Sequence, residues 1–269
     1  LLVLHDDAAR EYAYGPARGL PEVKLGAFPP TLDEEAKQEG WTVVSMKDDW
    51  KAVFPPGAAA VTAIDILLEP DATMLKHCEA SNARLLQVYP KGFALDAAHR
   101  PHITMIQCFV LTADLDEVYA AAHKALSAAN VNGMKLEAFK YYYAPAGAIG
   151  VAGICAKPTP EIIQLQADLI AALKPFTVDT GPIGAFTAAH DDPATDAAII
   201  EYVSTFSPKM TGVNFNPHVS TGVAPAEYLD KMLAEPFEPF TFSPSGAAVY
   251  QLGPYGTAAK KLKEWDSEH

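Results

Sequence analysis

No run of 18 consecutive apolar residues occurs, so nothing in the chain reads as a membrane-crossing helix. Cysteine is scarce: Cys78, Cys108 and Cys155 lie far apart with no CxxC spacing, which gives neither a zinc site nor a disulfide framework and leaves buried thiols as the expectation. A Gly-rich phosphate loop and a GxSxG elbow are both missing, which removes the P-loop and α/β-hydrolase chemistries. Positive charge is also short, with 20 Lys and Arg against 33 Asp and Glu and a net charge of −13. A broad nucleic-acid surface needs clustered cations, so that class is excluded, whereas a small nucleotide or RNA end in a locally positive groove is not. His99 stands three residues before His102, but no carboxylate or Cys cluster accompanies the pair. We therefore expect no metal and no cofactor. His5-Asp6-Asp7 and His190-Asp191-Asp192 read as solvated loops.

What is present suits a globular chain: 269 residues, 49% apolar and 20% charged, enough for one large domain, or one domain and an appendage. The most informative feature is a phrase spelled twice. Residues 101–104 are Pro-His-Ile-Thr and residues 217–220 are Pro-His-Val-Ser. With 22 Pro and 8 His, chance predicts less than one Pro-His pair, and both pairs here continue with a β-branched aliphatic and then a hydroxyl. In a strand, residues i and i+2 share a face. His102 and Thr104 would then point one way and Ile103 the other, towards a core. His218, Ser220 and Val219 repeat the pattern. Two such strands facing one another offer two imidazoles and two hydroxyls, a set suited to a phosphodiester. One ring takes the proton of the attacking oxygen, the other protonates the leaving oxygen, and the hydroxyls hold the phosphoryl oxygens. An unperturbed imidazole pKa of about 6.5 keeps both protonation states available near neutrality.

The paired His-x-[Ser/Thr] motif resembles the two-histidine (2H) phosphoesterase superfamily, which includes 2′-5′ RNA ligase-like proteins and 2′,3′-cyclic nucleotide phosphodiesterases. The resemblance spans about residues 59–265. It rests on the strand Ala63–Leu68, the phrases Arg100-Pro101-His102-Ile103-Thr104 and Asn214-Phe215-Asn216-Pro217-His218-Val219-Ser220, and the closing run Ala248–Leu252 followed by Leu262 and Trp265. It implies an α+β fold of two pseudo-symmetric, mainly antiparallel lobes flanked by helices, with the site in a groove between them. It also implies a metal-independent phosphoric diester hydrolase with His102 and His218 catalytic and Thr104 and Ser220 on phosphate, able in reverse to ligate. Ser220 stands where Thr is commoner, and the 116 residues between the histidines imply an insertion. A binding module that holds a nucleotide without turning it over, and a structural protein in which both motifs are core strands, are the alternatives. Tyr142, Tyr250 and Phe215 are candidates for stacking on a base, with core packing competing for each. Arg100 is the candidate for local positive charge, with surface solvation competing.

Along the chain, residues 1–58 form an expected α/β appendage and linker, and residues 59–269 the main domain. Within the appendage we expect an apolar run at Leu1–His5, helical turns over Asp6–Tyr14, a capped helix from Thr31 to about Glu39, and a strand at Trp41–Met46. His5–Tyr14 and Gly40–Trp50 resemble the C-terminal tail of secreted haloacid-dehalogenase-like acid phosphatases, but the Asp-x-Asp nucleophile motif is lacking and no activity is carried over. That likeness, and a first residue that is Leu, lean towards an exported or periplasmic protein, with a cytoplasmic one as the alternative. In the main domain we expect a strand at Val61–Leu68 and a helix at Ala72–Gln87 capped by Asp71. Helices at Asp114–Ala128 and Pro160–Leu173 flank a hairpin of Leu136–Tyr143 with Ala148–Ala156. A loop at Phe176–Asp192 and a helix at Thr195–Phe206 follow. Val213 and Phe215 continue the strand pattern into the second motif, a short helix covers Pro225–Leu233, and two closing strands precede a final helix or turn at Thr257–Trp265.

Overall fold

The computed structural model describes residues 60–189 and 195–265 in full, and the backbone alone of residues 193–194 and of four short strands near the start of the chain. Those four are β1 (Leu2–His5), β2 (Tyr12–Tyr14), β3 (Thr42–Ser45) and β4 (Trp50–Phe54), an antiparallel sheet in the order β2-β1-β4-β3. The end of Asp6–Tyr14 is thus extended, not helical: Tyr-Ala-Tyr alternates with period two, aromatic residues favour strands, and the segment pairs with β1. The capped helix expected at 31–39 lies outside the described residues, as do His190-Asp191-Asp192 and the side chains of His5-Asp6-Asp7.

The remaining chain runs β5 (Val61–Pro70), α1 (Ala72–Val88), β6 (Ile103–Leu111), α2 (Leu115–Ala128), β7 (Leu136–Ala146), β8 (Ile149–Ala156), α3 (Pro160–Leu173) and β9 (Thr177–Val178). It continues with α4 (Pro193–Ser204), α5 (Phe206–Lys209), β10 (His218–Pro225), α6 (Ala226–Leu233), β11 (Phe240–Phe242), β12 (Pro244–Leu252) and β13 (Ala258–Trp265). Local chemistry sets the boundaries. Asp71 caps α1, accepting from Met74 N at 3.1 Å, and Thr159 caps α3 with Pro160 at its first position. The β7–β8 hairpin closes between Ala146 and Ile149, and Gly147 takes the positive φ of 66° that so tight a turn demands.

The strands form one antiparallel sheet, β11-β7-β8-β10-β6-β5-β12-β13, with β9 added to the far edge of β6. The two expected lobes take the form of two four-stranded halves. Each half carries one motif strand at its inner edge, and the halves touch through a single residue pair, Val219 with Ile103. On one face, Ile64, Ile66 and Leu68 of β5 pack with Val118, Ala122 and Leu126 of α2 and with Ile162, Leu165 and Leu169 of α3. The intervening Ala63, Asp65 and Leu67 face the other side. There a second cluster joins Ala63, Phe109 and Leu252 to Phe186, Ile200 and Val203 from the segment between the motifs.

Two details depart from simple alternation. Each motif strand bulges one residue after its hydroxyl: the register passes over Met105 in β6 and over Thr221 in β10. A bulge leaves the extra residue out of the ladder. In each case a buried amide side chain from a helix takes the orphaned carbonyl. Gln166 of α3 donates to Met105 O at 3.1 Å, and Asn82 of α1 donates to Thr221 O at 2.9 Å. Gln166→Leu or Asn82→Leu is expected to cost about 1–3 kcal/mol, the usual penalty for an unsatisfied buried polar group, read as a lowered urea midpoint at unchanged slope. Neutral behaviour in both would show that water replaces the amides.

The closing segment is a strand, β13, in place of a helix or turn. Its lysines, Lys260, Lys261 and Lys263, mimic a helical charge pattern, but they lie along the sheet edge, where lysine discourages pairing with other chains. The stretch before β10 departs too. Gly212–Asn214 is a 3-10 turn with Val213 fully exposed, because Gly212 adopts a positive φ that breaks the extended run.

Candidate active site

The lone bridge between Ile103 and Val219 fixes the geometry of the site. Extending its antiparallel register by one residue each way sets His102 opposite Ser220 and Thr104 opposite His218. Ile103 and Val219 are both buried in the main core, so the four motif side chains stand on the opposite face. Residues directly opposed in such a pair have Cβ atoms only about 5 Å apart. The two motifs, 116 residues apart along the chain, therefore meet in one groove. Both rings remain partly exposed, the His102 side chain at 12%.

Both imidazoles are held alike. His102 Nδ1 lies 2.6 Å from Arg100 O, and His218 Nδ1 lies 2.7 Å from Asn216 O. A carbonyl can only accept, so each Nδ1 carries the proton and each Nε2 is the nitrogen left without a backbone partner. The intervening proline makes this possible: it confines the residue before it to extended backbone, which turns that carbonyl back to the ring. On β8, Gly153 is paired with Ser220 on one side and with Tyr142 on the other. A Cβ on Gly153 would lie 2.9 Å from Val219 O and 3.5 Å from His218 Cδ2. The bare backbone there lets the ring lie against the strand, and Tyr142 approaches His218 with ring centroids 4.9 Å apart.

Asp65 lies beneath the first motif. It is 0% exposed, and its Oδ2 accepts from Thr104 Oγ1 at 2.8 Å and from Gln107 Nε2 at 2.9 Å, with His102 Nε2 3.4 Å away. Simple alternation would put Gln107 on the opposite face from Thr104; the bulge at Met105 brings both to the carboxylate. Neither Asp65 nor Gln107 is among the candidate site residues expected from the sequence. A single acid inside an otherwise apolar strand was the available signal for Asp65, and the bulge left none for Gln107.

The other expected residues are distributed differently. Phe215, 8% exposed, packs into the main core with Phe206 and Val219 and presents no free face to the groove. Its position after a 3-10 turn, not within a strand, directs it inward. Tyr250 shares a register row with Asp65 but is 2% exposed, its hydroxyl on Glu69 Oε1 at 3.3 Å and Lys261 Nζ above its ring. Arg100 is exposed, its carbonyl serves His102, and its charge reaches the Tyr250 hydroxyl. His99 stacks on Phe93 and pairs with Asp96, and no cluster of three metal-ligating side chains occurs among the described residues. The three cysteines are buried and unpaired. Tyr202 of α4, absent from the candidates, is exposed at its surface, yet desolvation and then the charges of Asp65 and Tyr142 push its hydroxyl up to about 12, which puts it within electrostatic reach of Asp65.

The two histidines are electrostatically unequal. Burial opposes charge on His102, but Asp65, the Arg100 carbonyl and Glu69 together outweigh it and set its pKa above the usual imidazole value. For His218, burial dominates and the charge of His102 adds to it. The Asn216 carbonyl and the more distant Asp65 do not compensate, and its pKa falls below the usual value.

Residues 76–253 match the 2′-5′ RNA ligase superfamily, and the chain belongs to that family. No curated protein matches it by sequence. Among solved structures, TT0787 of Thermus thermophilus is 14% identical over 77% of this chain and 100% of its own, with a TM-score of 0.45. E. coli LigT complexed with 3′-AMP is 13% identical over 78% and 99%, with a TM-score of 0.39. Kluyveromyces marxianus Usb1 is 10% identical over 77% and 99%, with a TM-score of 0.38. No helix among the described residues is long and apolar enough to cross a membrane.

Proposed function

We propose that the chain hydrolyses phosphodiesters, namely 2′,3′-cyclic phosphates or 2′-5′-linked nucleotides and RNA ends, with His102 and His218 as a general acid and base pair. The observation that carries this reading is the register through Ile103 and Val219, which opposes each imidazole to a hydroxyl across one partly exposed groove. Membership of the 2′-5′ RNA ligase superfamily supports the linkage. Water attacks phosphorus as one ring takes its proton, the bond to the leaving oxygen breaks, and the other ring protonates that oxygen. With a ribose hydroxyl as attacker on a cyclic phosphate, the same site would join two ends. Ser220 donates to a phosphoryl oxygen. Thr104, whose proton lies on Asp65, turns it to the phosphate. Tyr142 offers a ring beside His218 for a base, and Arg100 supplies exposed positive charge. The reaction belongs to residues 59–269, with residues 1–58 as an appendage, a division supported by two sheets that share no strand.

One ring must be neutral and the other charged, so the rate should follow a bell in pH. The acid limb reports the lower pKa and the basic limb the higher. Because His218 is shifted down and His102 up, the plateau should be wider than two unperturbed imidazoles would give. Turnover of nucleoside 2′,3′-cyclic phosphates and 2′-5′-linked dinucleotides, followed by product analysis in excess chelator, tests the proposal. Activity should persist under chelation. A rate that falls at neither the acid nor the basic end, or complete loss with chelator, would overturn it. Tight calorimetric binding with no product would assign a binding module instead.

A further inference from the structure

The two halves of the site repeat one another closely. Each has the proline, the Nδ1 bond to the carbonyl two residues back, the hydroxyl, the bulge and the amide that satisfies it. One element has no counterpart. The strand beside the first motif, β5, carries Asp65 at the level of the site. The strand beside the second, β8, reads Ile-Gly-Val-Ala-Gly-Ile-Cys-Ala and has no acid. Asp65 is fully buried, its Oδ1 has no hydrogen-bond partner among the described residues, and its one ion pair there is with His102. A buried carboxylate is costly unless a cation answers it, and His102 is the side chain placed to do so.

We infer that Asp65 is a positioning residue that breaks the symmetry of the histidine pair, keeping a proton on His102 so that it serves as the acid and leaving His218 as the base. This inference rests on the proposed function for the word acid, but not for the charge on His102. The separation of 3.4 Å from Nε2 is that of an ion pair and longer than a tight hydrogen bond, so the Nε2 proton stays deliverable to an oxygen in the groove. In the step, His218 Nε2 takes the proton of the attacking water, the P–O bond to the leaving group breaks, and His102 hands its proton to the departing oxygen. Asp65 then favours the return of a proton to His102 from solvent, and His218 releases its own.

The other charged groups around His102 fit this assignment. Glu69 on the same strand is answered by Lys261 of β13 at 3.0 Å and bonded by Tyr250 of β12, so its pull on His102 is shared. The charge of His102 opposes a second charge on His218 across the groove, which accentuates the difference between the rings. Arg100 is exposed, two residues before His102. Tyr202 stays neutral at working pH, its hydroxyl being pushed up to about 12 by desolvation and by the charge of Asp65.

Proton NMR titration of the full chain, with the two ring signals assigned through His102→Gln and His218→Gln, reads the inference without substrate. The His102 midpoint should lie above that of His218, and in Asp65→Asn it should fall by about one pH unit or more while His218 moves little. Asparagine can still accept from Thr104 and Gln107; if that variant does not fold, the order of midpoints in the unsubstituted chain decides. Equal midpoints, a reversed order, or a His102 midpoint indifferent to Asp65→Asn would overturn the inference. In turnover, Asp65→Asn should move the basic limb to lower pH and leave the acid limb nearly in place, whereas a merely structural role would scale the whole profile down. A 4-nitrophenyl phosphodiester, whose leaving oxygen departs without a proton, should restore His102→Ala to within about tenfold but leave His218→Ala at least about 10²-fold down. Equal losses in both variants would overturn the assignment of acid and base. Absence of turnover with every substrate would instead reject the proposed function and leave the titration to judge Asp65.

Discussion

His102→Ala and His218→Ala should each lower kcat/KM on a 2′,3′-cyclic nucleotide by at least about 10²-fold, the usual worth of a positioned acid or base. Groups that act in one step lose their effects together, so the double variant should fall little below the worse single one. The two should differ in stability. His218 gives up one bond to Asn216 O and a ring contact with Tyr142, both at the groove surface. His102 leaves behind Asp65, buried and stripped of its cation, and removing one partner of a buried pair costs more than the pair contributed. His218→Ala is therefore the cleaner test, and circular dichroism melts alongside initial rates separate lost chemistry from lost fold. A His218→Ala protein that melts normally and retains more than a tenth of the rate would remove this ring from the reaction.

The two motif strands, and the faces of their imidazoles and hydroxyls, are legible in the sequence, and the limit of that legibility is physical. The doubled phrase was informative because its parts constrain the backbone: proline fixes an extended residue before it, and alternation puts the imidazole and hydroxyl on one face. The cap at Asp71, the β7–β8 hairpin and the bounds of α3 followed from equally local rules. What stayed hidden depends on partners distant in sequence. A bulge at Met105 leaves no mark in a pattern of apolar residues, yet it brings Gln107 to Asp65. β13 reads as helical until β12 lies beside it. Phe215 and Tyr250, aromatic and close to the motifs, could not be told from groove-lining rings until their burial was known.

The long separation between the histidines also acquires a structural reason. After Val219 and Ile103 the motif strands diverge, which leaves the edge of β6 without a neighbour from the second half. Unpaired backbone at a buried edge must find partners. The segment between the motifs supplies them: Gln166 for Met105 O, and β9 for Phe109 and Val110. The same segment then continues as α4, whose Ile200 and Val203 pack with Phe109 of β6. The added length thus pairs and covers the edge of β6 that the second half leaves open.

Phe109 joins those two roles, and Phe109→Ala should be among the most damaging substitutions outside the groove. Its ring is buried, meets Phe186 edge-on with centroids 5.8 Å apart, and lies so close to Gly181 that a Cβ there would come within 2.5 Å of it. Truncating a buried Phe costs about 3–5 kcal/mol, partly because such a site cannot collapse around the void. Set against a typical total of about 5–15 kcal/mol, that loss should pull the urea midpoint down sharply. The loss should also be uneven. Ile200 and Val203 of α4 share the cluster with Phe109, so hydrogen exchange should rise first in α4, while α2 and α3, packed on the opposite face, stay protected. Because α4 carries Tyr202 and no histidine of the pair, substrate affinity should suffer before the pH profile changes shape. A destabilisation under about 1 kcal/mol, or protection lost evenly over both faces of the sheet, would show that the intervening segment is not anchored through this ring.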